Sequence, residues 1–436
     1  MSVRKGKNYH YGIHVDDRKS LTKDLPIENM PDSPMIYISM SQHIGAPAIP
    51  VVCVGDKVKK GQLLGKENGA ISANVYSSVS GTVVDIKDIV NGLGQKQQYV
   101  IIENDYANEE VFFDKMTSFE SHDIIERVKL AGIVGLGGAG FPTAVKLLPK
   151  NPIDTLIING AECEPYLTCD YRLMIERTTE IYNGIKYTAK ALNAQKIIVG
   201  IEANKPEAIE IFSKYDDLDV VVLKHQYPMG SEKHLIYCTT GRKVGLGKMP
   251  FDVGVCVQNI KTMIAIHEAI VMDKPINKTV ITVSGKGVKQ PKNLRVALGT
   301  PYEDIIKYCG GVLEDTVKIV AGGPMMGKAL VTATQYTRKT DSGLLLLVPG
   351  EANISEPTNC ISCGKCAENC PMRLIPALME NAVLSKDFKE AEKLGIMNCI
   401  ECASCAFNCP AKRPLTQGFN FAKGEIRKLN ATKEKK

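Results

Sequence analysis

Eight of the chain's cysteines fall into two copies of one pattern. Cys360, Cys363, Cys366 and Cys370 precede Pro371, and Cys399, Cys402, Cys405 and Cys409 precede Pro410, so each copy reads C-x2-C-x2-C-x3-C-P. Thiolates at that spacing on one tight loop reach three corners of a cubane, which is the chemistry of a [4Fe-4S] cluster. Structural zinc and disulfides also use closely spaced cysteines. Neither needs the proline or the doubling, so the pattern points to two iron-sulfur clusters.

In two-cluster ferredoxins the fourth cysteine of each run ligates the other cluster. Crossed ligation of that kind assigns Cys360, Cys363, Cys366 and Cys409 to one cluster and Cys370, Cys399, Cys402 and Cys405 to the second. The other six cysteines, Cys53, Cys163, Cys169, Cys238, Cys256 and Cys309, share no spacing.

These loops need a scaffold. At 436 residues the chain is too long for one core. Its 44% hydrophobic and 23% charged residues are those of an ordinary globular protein. No apolar run approaches the roughly 20 residues that span a bilayer, and the polar start is no signal peptide, so a cytoplasmic location is expected. Cysteines gathered in cluster motifs fit a reducing compartment. The net charge of +6 is too small and dispersed for nucleic-acid binding. Much of it lies in residues 412–436, which read as a solvated, disordered basic tail, with an anionic lipid surface or an acidic partner as the alternative.

After about thirty polar, irregular residues, 54–65 read as strand, turn, strand, and 78–86 as a second hairpin. The V-G-D-x-V-x-x-G-Q-x-L run resembles the biotinyl/lipoyl barrel-sandwich domain. Its tip, Asn68-Gly69-Ala70, lacks a carrier lysine, so a scaffold without a carried group is expected. A helix capped near Ser121 leads to Gly135-Leu136-Gly137-Gly138-Ala139-Gly140-Phe141-Pro142-Thr143. The glycines match G-x-G-x-x-G, but a Rossmann fingerprint needs a strand before it and a long helix after it, and Pro142 forbids the second. What remains is backbone that can approach a ligand and cradle phosphate, with Lys146 nearby. A buried strand at 155–159 then delivers Asn159, Glu162 and Glu164 at its carboxyl end, where α/β proteins bind ligands. The paired carboxylates could bind a metal, act as acid and base, or hydrogen-bond a ring or ribose.

These blocks, with Tyr227-Pro228-Met229-Gly230-Ser231-Glu232, Gly241-Arg242 and Gln258-Asn259 with Thr262, resemble the flavin- and NADH-binding subunit of respiratory complex I. The resemblance implies FMN with NAD(H) bound against it. It places Gly135, Gly137, Gly138, Gly140, Phe141 and Lys146 in the nucleotide loop and Asn159, Glu162, Glu164, Glu232 and Asn259 around the flavin, with Glu164 and Glu232 as catalytic candidates. NGAECEPYLTCDYRLM, YPMGSEKHLIY and Gly322-Gly323-Pro324-Met325-Met326-Gly327, together with the barrel and both cluster motifs, narrow the resemblance to the RnfC-type subunits of the Rnf electron-transport complex, over nearly the whole chain. Ala144 stands where a His is expected, and Val15 where Pro is usual.

The expected architecture is α/β and multidomain. It comprises an N-terminal β barrel-sandwich at 1–115, an α/β flavin/NADH domain at 116–275, a β-grasp module resembling soluble-ligand-binding domains at 276–350, a helical two-cluster ferredoxin-like domain at 351–415, and the basic tail at 416–436. Helices are expected at 301–309, 375–383 and 387–394. His122, His225, His234 and His267 are scattered and read as ordinary core or surface histidines. A flavin reconciles two-electron nicotinamide with one-electron clusters. The resemblance therefore implies an NADH-dehydrogenase-type subunit on the cytoplasmic face of the membrane, partnered by the other Rnf subunits and indirectly by ferredoxin. A soluble reductase of the cobalamin-reductase type and a non-catalytic electron relay are the alternatives.

Overall fold

The computed structural model describes residues 2–352 and 354–434, in four sheets and a helical C-terminal unit. The central sheet has five parallel strands in the order Ser2–Lys5, Asp219–Leu223, Lys196–Glu202, Thr155–Gly160, Val255–Asn259. Residues alternate between its faces. Leu156, Ile158 and Val199 pack toward the helices Thr178–Leu192 and Ile260–Val271, while Ile157, Ile198 and Val221 pack toward the helix Glu232–Thr240. Burial on both faces explains why these strands read as continuous apolar runs. Because every strand runs the same way, their carboxyl ends share one rim.

Two small antiparallel sheets form the barrel-sandwich. One contains Met35–Ser39, Lys96–Asn104, Gly81–Val90 and Lys57–Val58, and the other Ile49–Pro50, Leu63–Lys66 and Val75–Tyr76. Instead of a hairpin at 78–86, Gly81–Val90 is one long strand, paired with Lys96–Asn104. The Ser-Gly at 80–81 marks the start of that strand rather than a reversal. The six-stranded sheet of the β-grasp module holds Lys278–Ser284 and Lys292–Ala297 with the helix Tyr302–Tyr308, close to expectation.

Both chain ends depart from the expected boundaries. Residues 2–29 do not join the barrel. Ser2–Lys5 adds an edge strand to the central sheet, and Ile27–Asn29 adds one to the β-grasp sheet. The intervening strap crosses the rim of the central sheet. At the other end, Leu415–Glu434 is a helix rather than a disordered tail. Leu415, Phe419, Ala422 and Ile426 recur at helical spacing and join Met379, Ala391 and Ile396 in the core of the cluster domain. The density of Lys and Arg masks that apolar stripe in the sequence. Pro376–Leu384 and Phe388–Lys393 are the two expected short helices.

Lys339 ties three units together. Its ammonium is fully buried and donates to the carbonyls of Asn74 in the barrel and Gly132 before the glycine loop, each at 2.7 Å. Burial alone pushes it down to about 7. An unfolded lysine keeps its proton to about pH 10.4. Between those values the unfolded chain holds a proton that the folded chain lacks, so stability rises with pH across that window. Lys339→Met should remove this component. Its urea midpoint should rise less between pH 7 and pH 9 than that of the wild type, whereas equal rises would show that Lys339 stays charged in the fold.

Candidate functional site

The carboxyl end of Thr155–Gly160 organises the rim. Asn159 accepts from the Ala161 amide at 3.1 Å and donates to the Gly230 carbonyl at 2.9 Å, drawing the 227–232 segment against the strand. The chain then turns through Glu162 and Tyr166, both at positive φ. Glu162 accepts from the amides of Asp170 at 2.6 Å and Tyr171 at 3.3 Å, so it caps the helix Cys169–Glu176 from a distance. Glu164 accepts from Met325 at 3.0 Å and Met326 at 2.8 Å, two successive amides of the 322–327 turn. Gly323 makes that grip possible, because a Cβ there would strike the Glu164 carboxylate.

The two carboxylates are thus each committed to the backbone of a different element. That geometry favours hydrogen bonding over a shared metal or an acid-base pair. Burial pushes both carboxyls up to about 7, offset for Glu162 by Lys19 and for Glu164 by the two amides. An infrared carboxylic-acid C=O band should therefore persist at pH 6, where ordinary carboxylates are ionised, and fade above pH 8. Glu162→Gln and Glu164→Gln should each remove part of it; an unchanged band in both would mean that these groups are ionised throughout.

The glycine loop is closed by a bridge between Val134 and Pro142 and by the Gly135 amide donating to the Phe141 carbonyl at 2.9 Å. The Leu136 amide donates to Thr262 Oγ1 at 3.1 Å, pinning the loop to the first turn of Ile260–Val271. Gly137 lies flat on Asn259, where any side chain would collide, and Gly137, Gly138 and Ala139 form an exposed tip. Gly140 is buried at positive φ against Thr340 and His43, and Phe141 is half-buried. Asn259 caps its own helix through the Lys261 amide at 2.8 Å and donates to Asp170 at 2.8 Å. Lys146 lies 3.2 Å from Glu232 and 3.3 Å from the Val257 carbonyl. Exposed loop amides, a lysine and two nearby helix N-termini form a donor set suited to a phosphate, and the flat face of Gly137 keeps the approach open. Ala144 is buried, which leaves it no polar role.

The cluster loops repeat in structure as they do in sequence. Ser362 and Glu401, Gly364 and Ala403, and Arg373 and Lys412 are equivalent pairs, and all have positive φ. Each loop leads into a single helical turn, Lys365–Glu368 or Ser404–Phe407. Cys370, Cys399, Cys402 and Cys405 line one cavity with Pro371, Leu374 and Phe419, so four thiols converge in an apolar hole. The amides of Leu374 and Glu401 donate to Cys370 Sγ at 3.3 Å and Cys399 Sγ at 3.4 Å. This donor set fits a cluster. In the other set Cys360 and Cys363 are exposed, Cys366 and Cys409 half-buried, and Ser362 donates to Cys360 Sγ at 3.4 Å.

Residues with no motif join the halves. The Tyr227 hydroxyl donates to the Cys402 carbonyl at 2.8 Å and also faces Glu164. Ile13, Tyr227, Met325 and Cys402 form a small buried cluster with Cys163 at its edge. Tyr9 bonds the Pro371 carbonyl, and His234 Nε2 lies 3.2 Å from the same atom, so this histidine braces a cluster loop. Lys423 in the C-terminal helix donates to the Cys399 carbonyl and pairs with Glu401 at 2.7 Å. Arg242, by contrast, bonds Asp154 at the opposite end of the central strand.

Comparison with known proteins agrees with this arrangement. Residues 7–107 match the RnfC barrel sandwich hybrid domain, 128–268 the Nuo51 FMN-binding domain, 280–329 the SLBB domain, and 352–410 the 4Fe-4S dicluster domain. The chain is 44% identical over 431 residues to the RnfC-type subunit of the proton-translocating ferredoxin:NAD(+) oxidoreductase complex of Clostridium ljungdahlii, covering 97% of this chain and 94% of that protein. It is 39% identical over 436 residues to the Na(+)-translocating counterpart of Acetobacterium woodii, covering 98% of each. A solved NAD+-reducing [NiFe]-hydrogenase aligns over 66% of this chain and 59% of its own at 18% identity, with a TM-score of 0.47. With near-complete coverage at these identities, the chain belongs to the RnfC family, whose members are subunits of ion-translocating ferredoxin:NAD(+) oxidoreductase complexes.

Proposed function

We propose that this chain is the peripheral NADH-dehydrogenase-type subunit of such a complex, exchanging hydride with NAD(H) at FMN and single electrons through two [4Fe-4S] clusters. The observation that carries this reading is the contact of Tyr227 with Cys402, which sets one cysteine quartet directly against the rim of the α/β sheet. Bound FMN supplies the conversion of a two-electron hydride into single electrons, which iron-sulfur clusters carry one at a time. The protein residues bind, orient and shield. The tip amides of Gly137 and Gly138, with Lys146, would hold the phosphate, and Gly135, Gly140 and Phe141 would keep the loop closed around it. Asn159 and Asn259 would fix the strand and helix ends beside the ring. Glu164, gripped by Met325 and Met326, would fill the wall between ring and cluster loop, while Glu232 stands beside Lys146.

Cys370, Cys399, Cys402 and Cys405 would hold the inner cluster, and Cys360, Cys363, Cys366 and Cys409 the outer one. The exposure of Cys360 and Cys363 suits exchange with a partner protein. By family, the partners are the other subunits of the complex, with ferredoxin reached indirectly and the cytoplasmic membrane face as the site of assembly. Among the described residues no helix is long and apolar enough to cross a membrane, so attachment would run through those subunits.

An anaerobic titration with NADH tests the reading. The flavin and iron-sulfur absorbances should both bleach, and denaturation should release FMN; if neither bleaches, the enzymatic function is wrong. Glu164→Gln should slow NADH-dependent bleaching by about tenfold or more with iron content unchanged, since such a group would contribute on the order of 1–3 kcal/mol. Cys360→Ser should retain NADH-dependent bleaching of the remaining cluster, whereas Cys402→Ser should lose it. The reverse pattern would exchange the inner and outer assignments.

A further inference from the structure

The N-terminal strap puts a lysine where no motif predicts one. Lys19 is 6% exposed, and its ammonium donates to the carbonyls of Glu164, at 2.9 Å, and Leu167, with the Glu162 carboxylate 3.8 Å away. The neighbouring strap residues clamp the same loop. The Asp17 carbonyl accepts from the Tyr166 amide at 2.7 Å, and Thr22 Oγ1 lies 2.7 Å from Thr168 Oγ1. Lys19 therefore closes the 161–168 turn, whose positive-φ residues Glu162 and Tyr166 need outside support.

From Lys19 a continuous series of contacts reaches the glycine loop. Glu162 caps Cys169–Glu176 through the Asp170 amide. The Asp170 side chain accepts from Asn259 at 2.8 Å, and Asn259 is the surface on which Gly137 lies. We propose that Lys19 is a positioning residue of the flavin site, acting through Glu162, Asp170 and Asn259 on the loop that holds the FMN phosphate. The inference rests on the flavin reading above.

The charges facing Glu162 come from four directions: Lys19 on the strap, Asp170 on its own capped helix, Lys205 with its partner Glu202 behind the sheet edge, and Lys261 from the helix Ile260–Val271. Lys205 is spoken for, bonded to the Ala161 carbonyl at 2.6 Å and paired with Glu202 at 3.3 Å. Lys261 bonds the carbonyls of Val280 and Asp341. Among these cations Lys19 is the one in ion-pair contact with Glu162, and its removal would push the carboxyl above about 7 and leave it protonated at neutral pH. A neutral cap accepts weaker hydrogen bonds from the two amides, loosening Asp170 and with it Asn259.

The test uses the full chain with its clusters, prepared anaerobically and stripped of flavin, with FMN as the probe and its fluorescence giving Kd from pH 6 to pH 9. Lys19→Met should weaken FMN binding by about tenfold near pH 7.5, with a smaller ratio to wild type toward both pH extremes. Lys19→Arg should restore binding to within about threefold, with iron content equal in all proteins. A ratio independent of pH would mark a merely structural lysine and overturn the proposal, as would unchanged binding. If Lys19→Met does not fold, Glu162→Gln makes the neutral cap with Lys19 in place. It should match the weakened Kd near neutrality, and wild-type affinity in that variant overturns the proposal. Failure of the unsubstituted chain to bind FMN would overturn the flavin reading and this inference with it, an outcome distinguishable from the others at the first measurement.

Discussion

Glu164 is the joint on which the assembly turns. Its carboxylate is held by two amides of the β-grasp module, its carbonyl by Lys19 from the N-terminal strap, and its face by Tyr227, which reaches the cluster loop at Cys402. Three segments far apart in sequence meet at one residue on the end of one strand. A buried carboxylate costs several kcal/mol in lost hydration. A hydrogen bond to a charged group returns about 1.5–3 kcal/mol, so two amides nearly offset that cost without exceeding it. The balance appears as a carboxyl displaced to about 7, neither firmly ionised nor firmly neutral. A group so poised is sensitive to whatever else enters the rim.

The same balance explains how the modules are joined. An α/β domain with a parallel sheet leaves its ligand end open, and loops alone would be too mobile to define it. Here the opening is walled by the β-grasp turn at 322–327, the strap and the cluster domain, each bonded to the rim through buried polar groups. Lys339 repeats the device on the far side of the glycine loop, with two carbonyls and no carboxylate, so its ammonium is displaced downward instead. Polar ties of this kind specify one arrangement of modules, because each donor left without its acceptor in a dry interface costs about 1–3 kcal/mol.

Much of this is legible in the sequence where chemistry demands fixed local spacing. The cysteine runs, the glycines and the strand ending at Asn159 obey short-range rules, and the structure brings Asn159, Glu162 and Glu164 to one strand end and Gly137 onto Asn259. The roles within the site are not legible there. Glu162 and Glu164 sit two apart, yet serve different partners more than a hundred residues apart in sequence, Asp170 and Met325. Lys19 looks like any surface lysine in a polar segment, because nothing local distinguishes an ammonium that crosses to another domain. The strap and the C-terminal helix escape sequence reasoning for a related cause. A four-residue edge strand such as Ser2–Lys5 is defined by the partner it meets, and the apolar stripe of Leu415–Glu434 is sparse among charges.

The duplicated cysteine loops show how little a motif alone decides. Their backbones match down to the positive-φ residues at Ser362 and Glu401, so in isolation the two would bind equivalent clusters. Their surroundings differ. Cys370, Cys402 and Cys405 are less than a tenth exposed and packed under Phe419, while Lys423 anchors the Cys399–Glu401 turn; Cys360 and Cys363 lie open to solvent. Cluster potential follows burial, nearby charge and hydrogen bonds to sulfur rather than ligand spacing. An exposed and a buried site built on one loop geometry therefore differ in potential, and the difference is set by the C-terminal helix and the flavin-domain rim, the elements that the duplication did not copy.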